Sequence, residues 1–238
     1  FNNFHQIVTW YYSPYPTAYI GNAKQLLICG FCLKYFPRKQ VFAEHKETCY
    51  RRHPPGIAIY EHNGIAIYEV DGAVNKVYCQ CLCLLARLFL EHKTLCFDVE
   101  SFLFYIMTTS DAQGRHVVGY FSKEKISPLG YNLACILVVP PYQKVGHGRG
   151  LIQLAYELSR RTGCRGTPER PLSDLGLRGF FSYWKSTILH ELRRVGPGQN
   201  ISVSDLAART CLMPEDIVYT LRRLDLLAEV AAAVTGLP

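Results

Sequence analysis

The 238-residue sequence has no stretch that reads as a membrane span. Its longest apolar run, Val77 to Leu90, is broken by Gln80 and Arg87. A spanning helix needs about 20 predominantly apolar residues, so a buried helix is expected there. No signal peptide is visible. The chain begins at Phe1, not Met, which reads as a fragment or processed form with flanking domains missing. Internal repeats and low-complexity tracts are absent, as are a P-loop and a full dinucleotide fingerprint. With 49% hydrophobic and 19% charged residues, the composition is globular rather than disordered. The length fits one composite domain or two small ones. A net charge of +7 suits a polyanionic partner such as nucleic acid or a phosphate-rich ligand, or simply a soluble basic protein. Ten cysteines without an export signal argue for reduced, mostly buried thiols rather than disulfides.

The pattern along the chain predicts an α+β fold. Residues 1–28 are aromatic and turn-rich, and residues 29–55 are basic. Between Gly56 and Val77, Ile57, Ile59, Ile65, Ile67 and Val70 alternate with polar residues or Gly, as in hairpins. A helix is expected over 78–92, a strand over 97–107, a turn at Asp111–Gly114 and a returning strand from His116 to Phe121. Leu133 to Val139 reads as a strand buried on both faces, ended by Pro140-Pro141. Leu151, Leu154, Ala155 and Leu158 then mark one face of a helix from about Arg149 to Arg161. The Pro-rich loop Thr167–Pro171 leads into another helix through Trp184. Beyond Gly196-Pro197-Gly198, the segment Ile201 to Leu227 has a helix–turn–helix rhythm, with Leu206 and Ala207 before the turn and Pro214, Ile217, Leu221 and Leu224 after it. Its mixed surface (Asp216, Asp225, Arg222, Arg223) favours a buttressing role over DNA contact. The expected division is 1–75, an N-terminal segment; 76–165, a central core; and 166–238, a C-terminal segment.

Cys29, Cys32, His45 and Cys49 have the spacing Cys-x2-Cys-x12-His-x3-Cys. A Cys-x-x-Cys turn offers two thiolates, and a His and Cys four apart share a helix face and offer two more ligands. Four protein ligands leave no open position, so a structural zinc ion is expected, not a catalytic one. The surrounding lysines and arginines also allow DNA contact.

Gln143-Lys144-Val145-Gly146-His147-Gly148-Arg149 follows the apolar strand and opens a helix. Glycines let backbone approach a ligand, and helix N-terminal amides face an anion. The segment reads as a pyrophosphate cradle, the alternative being a plain turn.

These residues resemble those of a known family. Gln-x-x-Gly-x-Gly after a strand is the acetyl-CoA motif of the acetyltransferase superfamily. Tyr131–Leu137 and Pro168–Gly176 look like the two signatures of MYST-family histone acetyltransferases. Similar strings occur at 29–56, 68–72, 78–85, 92–94 and 119–125. The resemblance runs from about residue 7 to about residue 227 and weakens at Ala231-Ala232-Ala233. It implies a GNAT-like core with an N-terminal zinc finger and a C-terminal helix–turn–helix. It also implies acetyl-CoA as co-substrate, histone tails or nucleosomes as substrate, subunits of a chromatin-modifying complex as partners, a nuclear location and no membrane association.

A lysine amine must lose a proton before it attacks a thioester, and a carboxylate in a partly apolar site can take it. The resemblance places that general base at Glu169. By physics alone, Glu169 beside Arg170 would pass for a solvated surface carboxylate. Cys135, on the strand beside the cradle, could relay the acetyl group, line the site or merely fill space; direct attack on acetyl-CoA is preferred. The backbone of Ala134, Cys135, Ile136, Leu137 and Val138 is expected to hold the pantetheine arm by strand-like hydrogen bonds. By resemblance, Ser173 and Ser182 contact the cofactor, although Ser173 also sits where a helix N-cap would be. Lys93 matches a lysine that family members autoacetylate. Two rival functions are a non-catalytic zinc and helix–turn–helix DNA-binding module, and an acetyltransferase of small amines. Glu169, Cys135 and the glycine loop weigh against the first, and the zinc segment weighs against the second.

Overall fold

A computed structural model describes residues 5–91, 97–196 and 198–227. The chain forms two compact units, Phe1–Leu151 with Pro168–Arg170, and Ile152–Thr167 with Pro171–Pro238. No helix among the described residues is long and apolar enough to cross a membrane.

The first unit opens with a short helix α1 (Thr17–Ile20), a two-stranded ribbon β1 (Leu27–Ile28) and β2 (Tyr35–Phe36), and α2 (Lys39–Thr48). There follow β3 (Ile57–His62), β4 (Ile65–Asp71), α3 (Lys76–Arg87), β5 (Phe102–Asp111), β6 (Gly114–Glu124), β7 (Tyr131–Leu133) and β8 (Cys135–Val138). Five of these strands make an antiparallel sheet in the order β3-β4-β5-β6-β8. Two of its four pairings, β3–β4 and β5–β6, are hairpins, because Asn63-Gly64 and Asp111–Gly114 supply tight turns: Asn63 and Gly64 both take positive φ, and the Asp111 carboxylate accepts the N–H groups of Gln113 and Gly114.

Helix α3 is the buried helix expected from the Val77–Leu90 run. Tyr78, Cys79, Leu82, Leu85 and Ala86 are buried with Ala66, Val70, Phe104, Ile106 and Tyr120 in one core. The Cys79 and Cys81 thiols are pushed up, to about 12 and about 11, chiefly by burial, which keeps them protonated.

The expectation of a doubly buried strand over Leu133–Val139 needs correction. The chain breaks at Ala134 into β7 and β8, and β8 lies at the edge of the five-stranded sheet with Cys135, Ile136 and Val138 only half-buried. Its apolar side chains reflect one covered face, not two. The close approach of β8 to β6 depends on Gly119, paired with Val138, because a Cβ there would lie 2.6 Å from the Leu137 carbonyl oxygen.

Helix α4 (His147–Arg161) begins in the first unit and contributes Ile152, Ala155 and Tyr156 to the core of the second. There α5 (Asp174–Leu192) buries Phe180, Trp184 and Ile188. The Trp184 indole N–H donates to the Tyr156 hydroxyl at 2.7 Å, which satisfies a buried donor. Helices α6 (Val203–Thr210) and α7 (Pro214–Arg223) form the expected helix–turn–helix. A capping box between Ser202 and Asp205 starts α6, Cys211 ends it in the left-handed region, and Pro214 opens α7. Leu206, Ala207, Ile217 and Leu221 are buried. In α5, Trp184 meets Tyr219 of α7 edge to face.

Gly119→Ala is expected to lower stability by about 1–3 kcal/mol, the usual scale of overpacking. A thermal melt should show a midpoint several degrees below wild type, and an unchanged midpoint would reject the close β6–β8 approach.

Candidate active site and metal centre

The metal ligands come from two local structures. After β1, the chain turns through Cys29–Cys32, with the Leu33 N–H on the Cys29 carbonyl (3.0 Å) and the Cys29 N–H on the Lys34 carbonyl (2.9 Å). His45 lies in the last turn of α2, and Cys49 caps that helix, its N–H on the His45 carbonyl at 2.8 Å. The four ligand atoms lie within 4.8 Å of one another. Cys29 Sγ and Cys49 Sγ are 4.0 Å apart, and Cys32 Sγ is 3.3 Å from His45 Nε2. Tetrahedral zinc with bonds of about 2.3 Å to sulfur and 2.0–2.1 Å to nitrogen would set separations of about 3.8 and 3.6 Å. These two separations match tetrahedral zinc to within a few tenths of an ångström. A thiol hydrogen bond from Cys32, assisted by backbone amides of Cys32 and Phe31, pulls Cys29 down to about 4, while the same pairing pushes Cys32 up. Phe36 packs on the His45 ring at 4.7 Å and orients it.

The second site forms around β8. Val139 and Val118 are a hydrogen-bonded pair, with the Val139 N–H on the Val118 carbonyl at 2.9 Å. By the alternation of an antiparallel ladder, Leu137 also bonds towards β6, while the amides of Ile136 and Val138 face the other way. No strand among the described residues pairs with that side of β8. The Val138 carbonyl accepts from the Gln143 side chain at 2.8 Å, which latches the following loop to the strand.

That loop takes its shape from Lys144 and Gly146, both at positive φ (66° and 98°). The His147 ring Nδ1 lies 3.0 Å from the Tyr142 carbonyl oxygen as α4 begins. A Cβ at Gly146 would meet nothing within 4 Å, and one at Gly148 only Val138 Cγ2 at 3.7 Å. Packing within the chain therefore does not require Gly148 to lack a side chain. Lys144, Val145 and Arg149 are exposed, and the first turn of α4 has no acidic residue. The helix dipole and the two cations together favour an anion here.

Glu169 belongs to the same unit as β8. Its backbone N–H donates to the Leu133 carbonyl at 2.8 Å, and Leu133 stands two residues before Cys135. Glu169 is exposed, and Cys135 is partly exposed. The structure thus gathers Cys135, the outward amides of β8, the Gln143–Arg149 loop and Glu169 into the first unit. Ser173 and Ser182 lie in the second unit. The Ser173 hydroxyl caps α5, accepting the Gly176 N–H at 3.1 Å, as its N-cap position anticipated, and Ser182 is exposed on α5. Lys93 lies outside the described residues.

Sequence reasoning gave no role to Ser122, whose hydroxyl accepts the Cys135 N–H at 3.2 Å, or to the Gln143 latch. The available signal for Ser122 was a lone hydroxyl at the end of the apolar run Val117–Phe121.

A family model described as the MOZ/SAS family matches residues 53–235, and one described as the MYST family zinc finger domain matches residues 3–49. The chain is 50% identical over 224 residues to a protein named histone acetyltransferase Tip60 homolog from Caenorhabditis elegans, covering 93% of this chain and 49% of that protein. It is 47% identical over 223 residues to histone acetyltransferase MOF from Drosophila melanogaster, covering 94% of this chain and 27% of the relative. It is 49% identical over 223 residues to human histone acetyltransferase KAT6A, covering 94% of this chain and 11% of the relative. The chain spans half or less of the length of these relatives.

Metal analysis of the purified protein is expected to give close to one zinc per chain. Cys49→Ser should reduce that content and lower the melting midpoint. Metal-free protein with an unchanged melting curve would sink the assignment.

Proposed function

The chain belongs to the MYST (MOZ/SAS) family of the matched models, and on that premise we propose that it is a lysine acetyltransferase that moves the acetyl group of acetyl-CoA to a histone lysine. The observation that carries this reading is the meeting of three features on one unit: an edge strand with outward amides, a cationic glycine loop latched to it, and Glu169 hung from Leu133. The loop amides with Lys144 and Arg149 hold the pyrophosphate. Backbone groups of Ala134 to Val138 bind the pantetheine arm as an added strand would.

Glu169 is the general base. Its carboxylate takes a proton from the substrate ammonium, and the freed amine attacks the thioester carbonyl. The N–C bond forms, the C–S bond breaks, and the coenzyme leaves as a thiolate; the nitrogen sheds its remaining excess proton, which balances the protonation of that thiolate. The Cys135 thiol lines the site, and attack is direct. Backbone N–H groups of β8 polarise the thioester carbonyl. Bound zinc supplies folding energy to the N-terminal segment and takes no part in the transfer. In the cell, the protein works on histone tails in the nucleus, within a chromatin-modifying complex. Lys93 is its autoacetylation site, Ser173 and Ser182 contact the cofactor, and the helix–turn–helix buttresses its own unit.

Incubation with labelled acetyl-CoA and core histones, followed by mass spectrometry, is expected to locate label on histone lysines. Label confined to free amines, or to nothing, would reject the reading. Gly148→Glu should abolish acetyl-CoA binding by calorimetry while leaving the fold intact; an unaltered affinity would remove the loop from the site.

Glu169→Gln should retain acetyl-CoA binding and lose activity by about 10² to 10⁴, the usual range for a lost general base. Raising the pH should recover part of it, since more substrate lysine is then deprotonated. Cys135→Ala should cost far less, with initial rates that indicate a ternary complex. Equal loss in both variants, together with an isolable thioester on wild-type Cys135, would replace direct attack by an acyl-enzyme.

A further inference from the structure

We infer that the corner where the sheet meets the start of α3 is a docking surface for the polypeptide that carries the acceptor lysine, with Ile126 and Leu129 gripping an apolar side chain close to that lysine in sequence. The inference rests on the activity proposed above and adds a substrate preference to it. Strand register places the corner. Asp71 pairs with Leu103, Phe102 with Glu124, and Ser122 with Cys135, so β4 ends, β5 begins, β6 ends and β8 begins at one end of the sheet. That end holds Cys135, and Leu133, which anchors Glu169, stands two residues before it. It is also where large apolar side chains face water. Ile126 is 86% exposed and Leu129 66%, and Val74, Val77 and Phe97 are exposed too.

Single apolar residues are common on protein surfaces and need no explanation; a joined group does. Here bonds join them. The Asp71 carboxylate accepts both the Ala73 N–H and the Lys125 ammonium, each at 2.7 Å, which ties the Val74 turn to the Ile126 loop. The Lys125 N–H bonds the Ser101 carbonyl at 2.9 Å. Gln80, one turn beyond Val77 on α3, donates to the Phe97 carbonyl at 3.0 Å. The far end of the loop after β6 is closed as well: the Ser127 carbonyl accepts the Gly130 N–H at 3.1 Å, and its hydroxyl accepts the Tyr131 N–H at 3.2 Å. Ile126 and Leu129 thus stand on a braced loop, and covering them costs little further ordering. Two cations of this corner are already paired, Lys76 with Glu100 and Lys125 with Asp71, so the feature left uncovered is apolar area.

Position decides the occupant. Ile126 lies four residues beyond Ser122, the partner of Cys135, and Leu129 lies four before Leu133. Four residues reach at most about 14 Å, and an extended peptide advances about 3.3 Å per residue. A chain with its lysine between Glu169 and Cys135 can therefore lay a side chain from within about four residues of that lysine on the loop. A small amine has nothing to lay there.

The test compares the full chain with its double variant Ile126→Ser/Leu129→Ser. The acceptors are short synthetic peptides with one central lysine among alanine and serine, without leucine or with a single leucine moved through the flanking positions, and Nα-acetyl-lysine amide. In the wild type, at least one leucine position should lower KM by about tenfold at constant kcat, the scale of partly burying that side chain. The double variant should show no such preference, with acetyl-CoA affinity and turnover of the amide as in the wild type. A wild type indifferent to leucine, or a double variant that keeps the preference, overturns the proposal. So does equal loss on peptides and amide, which would mean a disturbed site. If the double variant melts early, the two single variants replace it under the same criteria. A dimer that the double variant dissociates, with no leucine preference, gives the surface to a second copy and overturns the proposal. A wild-type protein that acetylates no lysine defeats the activity reading. Fluorescence anisotropy of the labelled peptides then decides the docking surface alone: leucine-dependent binding lost in the double variant supports it, and the absence of such binding overturns it.

Discussion

Everything at the candidate site depends on one requirement: a backbone amide removed from water must find a partner. Strand β8 meets it by lying against β6 along one side only. The other side has the polar groups of an unfinished sheet, which in most proteins invites aggregation. Here the exposure is limited. The strand has four residues, the Gln143 side chain occupies the Val138 carbonyl, and Pro140-Pro141 stops further pairing. What is left is a short row of donors and acceptors of the length that an extended arm with amide groups could complete.

The same sheet is braced from the metal centre. The Arg52 carbonyl, shortly beyond Cys49, accepts the Arg115 N–H at 2.7 Å. Its guanidinium lies 5.5 Å from the centre of the Phe31 ring, and Phe31 packs on His116 at 4.8 Å. Gly114 must lack a side chain, since a Cβ would come within 2.4 Å of the Arg52 carbonyl oxygen. The knuckle thus sits on the turn between β5 and β6, and β6 is the strand that holds β8. A zinc ion bound among Cys29, Cys32, His45 and Cys49 would stiffen, through these contacts, the hairpin on which the edge strand depends.

Elements whose physics is local could be read from the sequence. The spacing of the four metal ligands needs only a turn and a helix face. The face of α4, the glycine-containing hairpin turns and the Pro214 helix start also follow from periods and turn chemistry. The Leu133–Val139 run misled because apolar composition cannot distinguish a strand covered on both faces from an edge strand with one. The break at Ala134 was invisible for a different reason: its N–H bonds the Ser122 carbonyl of β6 at 2.7 Å, more than ten residues away in sequence. Glu169 shows the limit most plainly. Nothing in its charge or neighbours separates it from a surface carboxylate, and only the resemblance singled it out. The fold adds the bond to Leu133, which joins two segments that no local pattern connects.

That bond also orders events as the chain leaves a ribosome. The first unit is continuous from its start to Leu151 and then waits for Pro168–Arg170. Its sheet pairs strands in nearly sequential order, so loop closure stays modest, and β8 and the glycine loop can dock as soon as they emerge. Throughout that interval the Leu133 carbonyl has yet to meet the Glu169 amide. A nascent chain therefore passes through a stage with β8 in place and the Leu133 carbonyl unmet, and the segment that carries Glu169 is the last piece of the first unit to arrive.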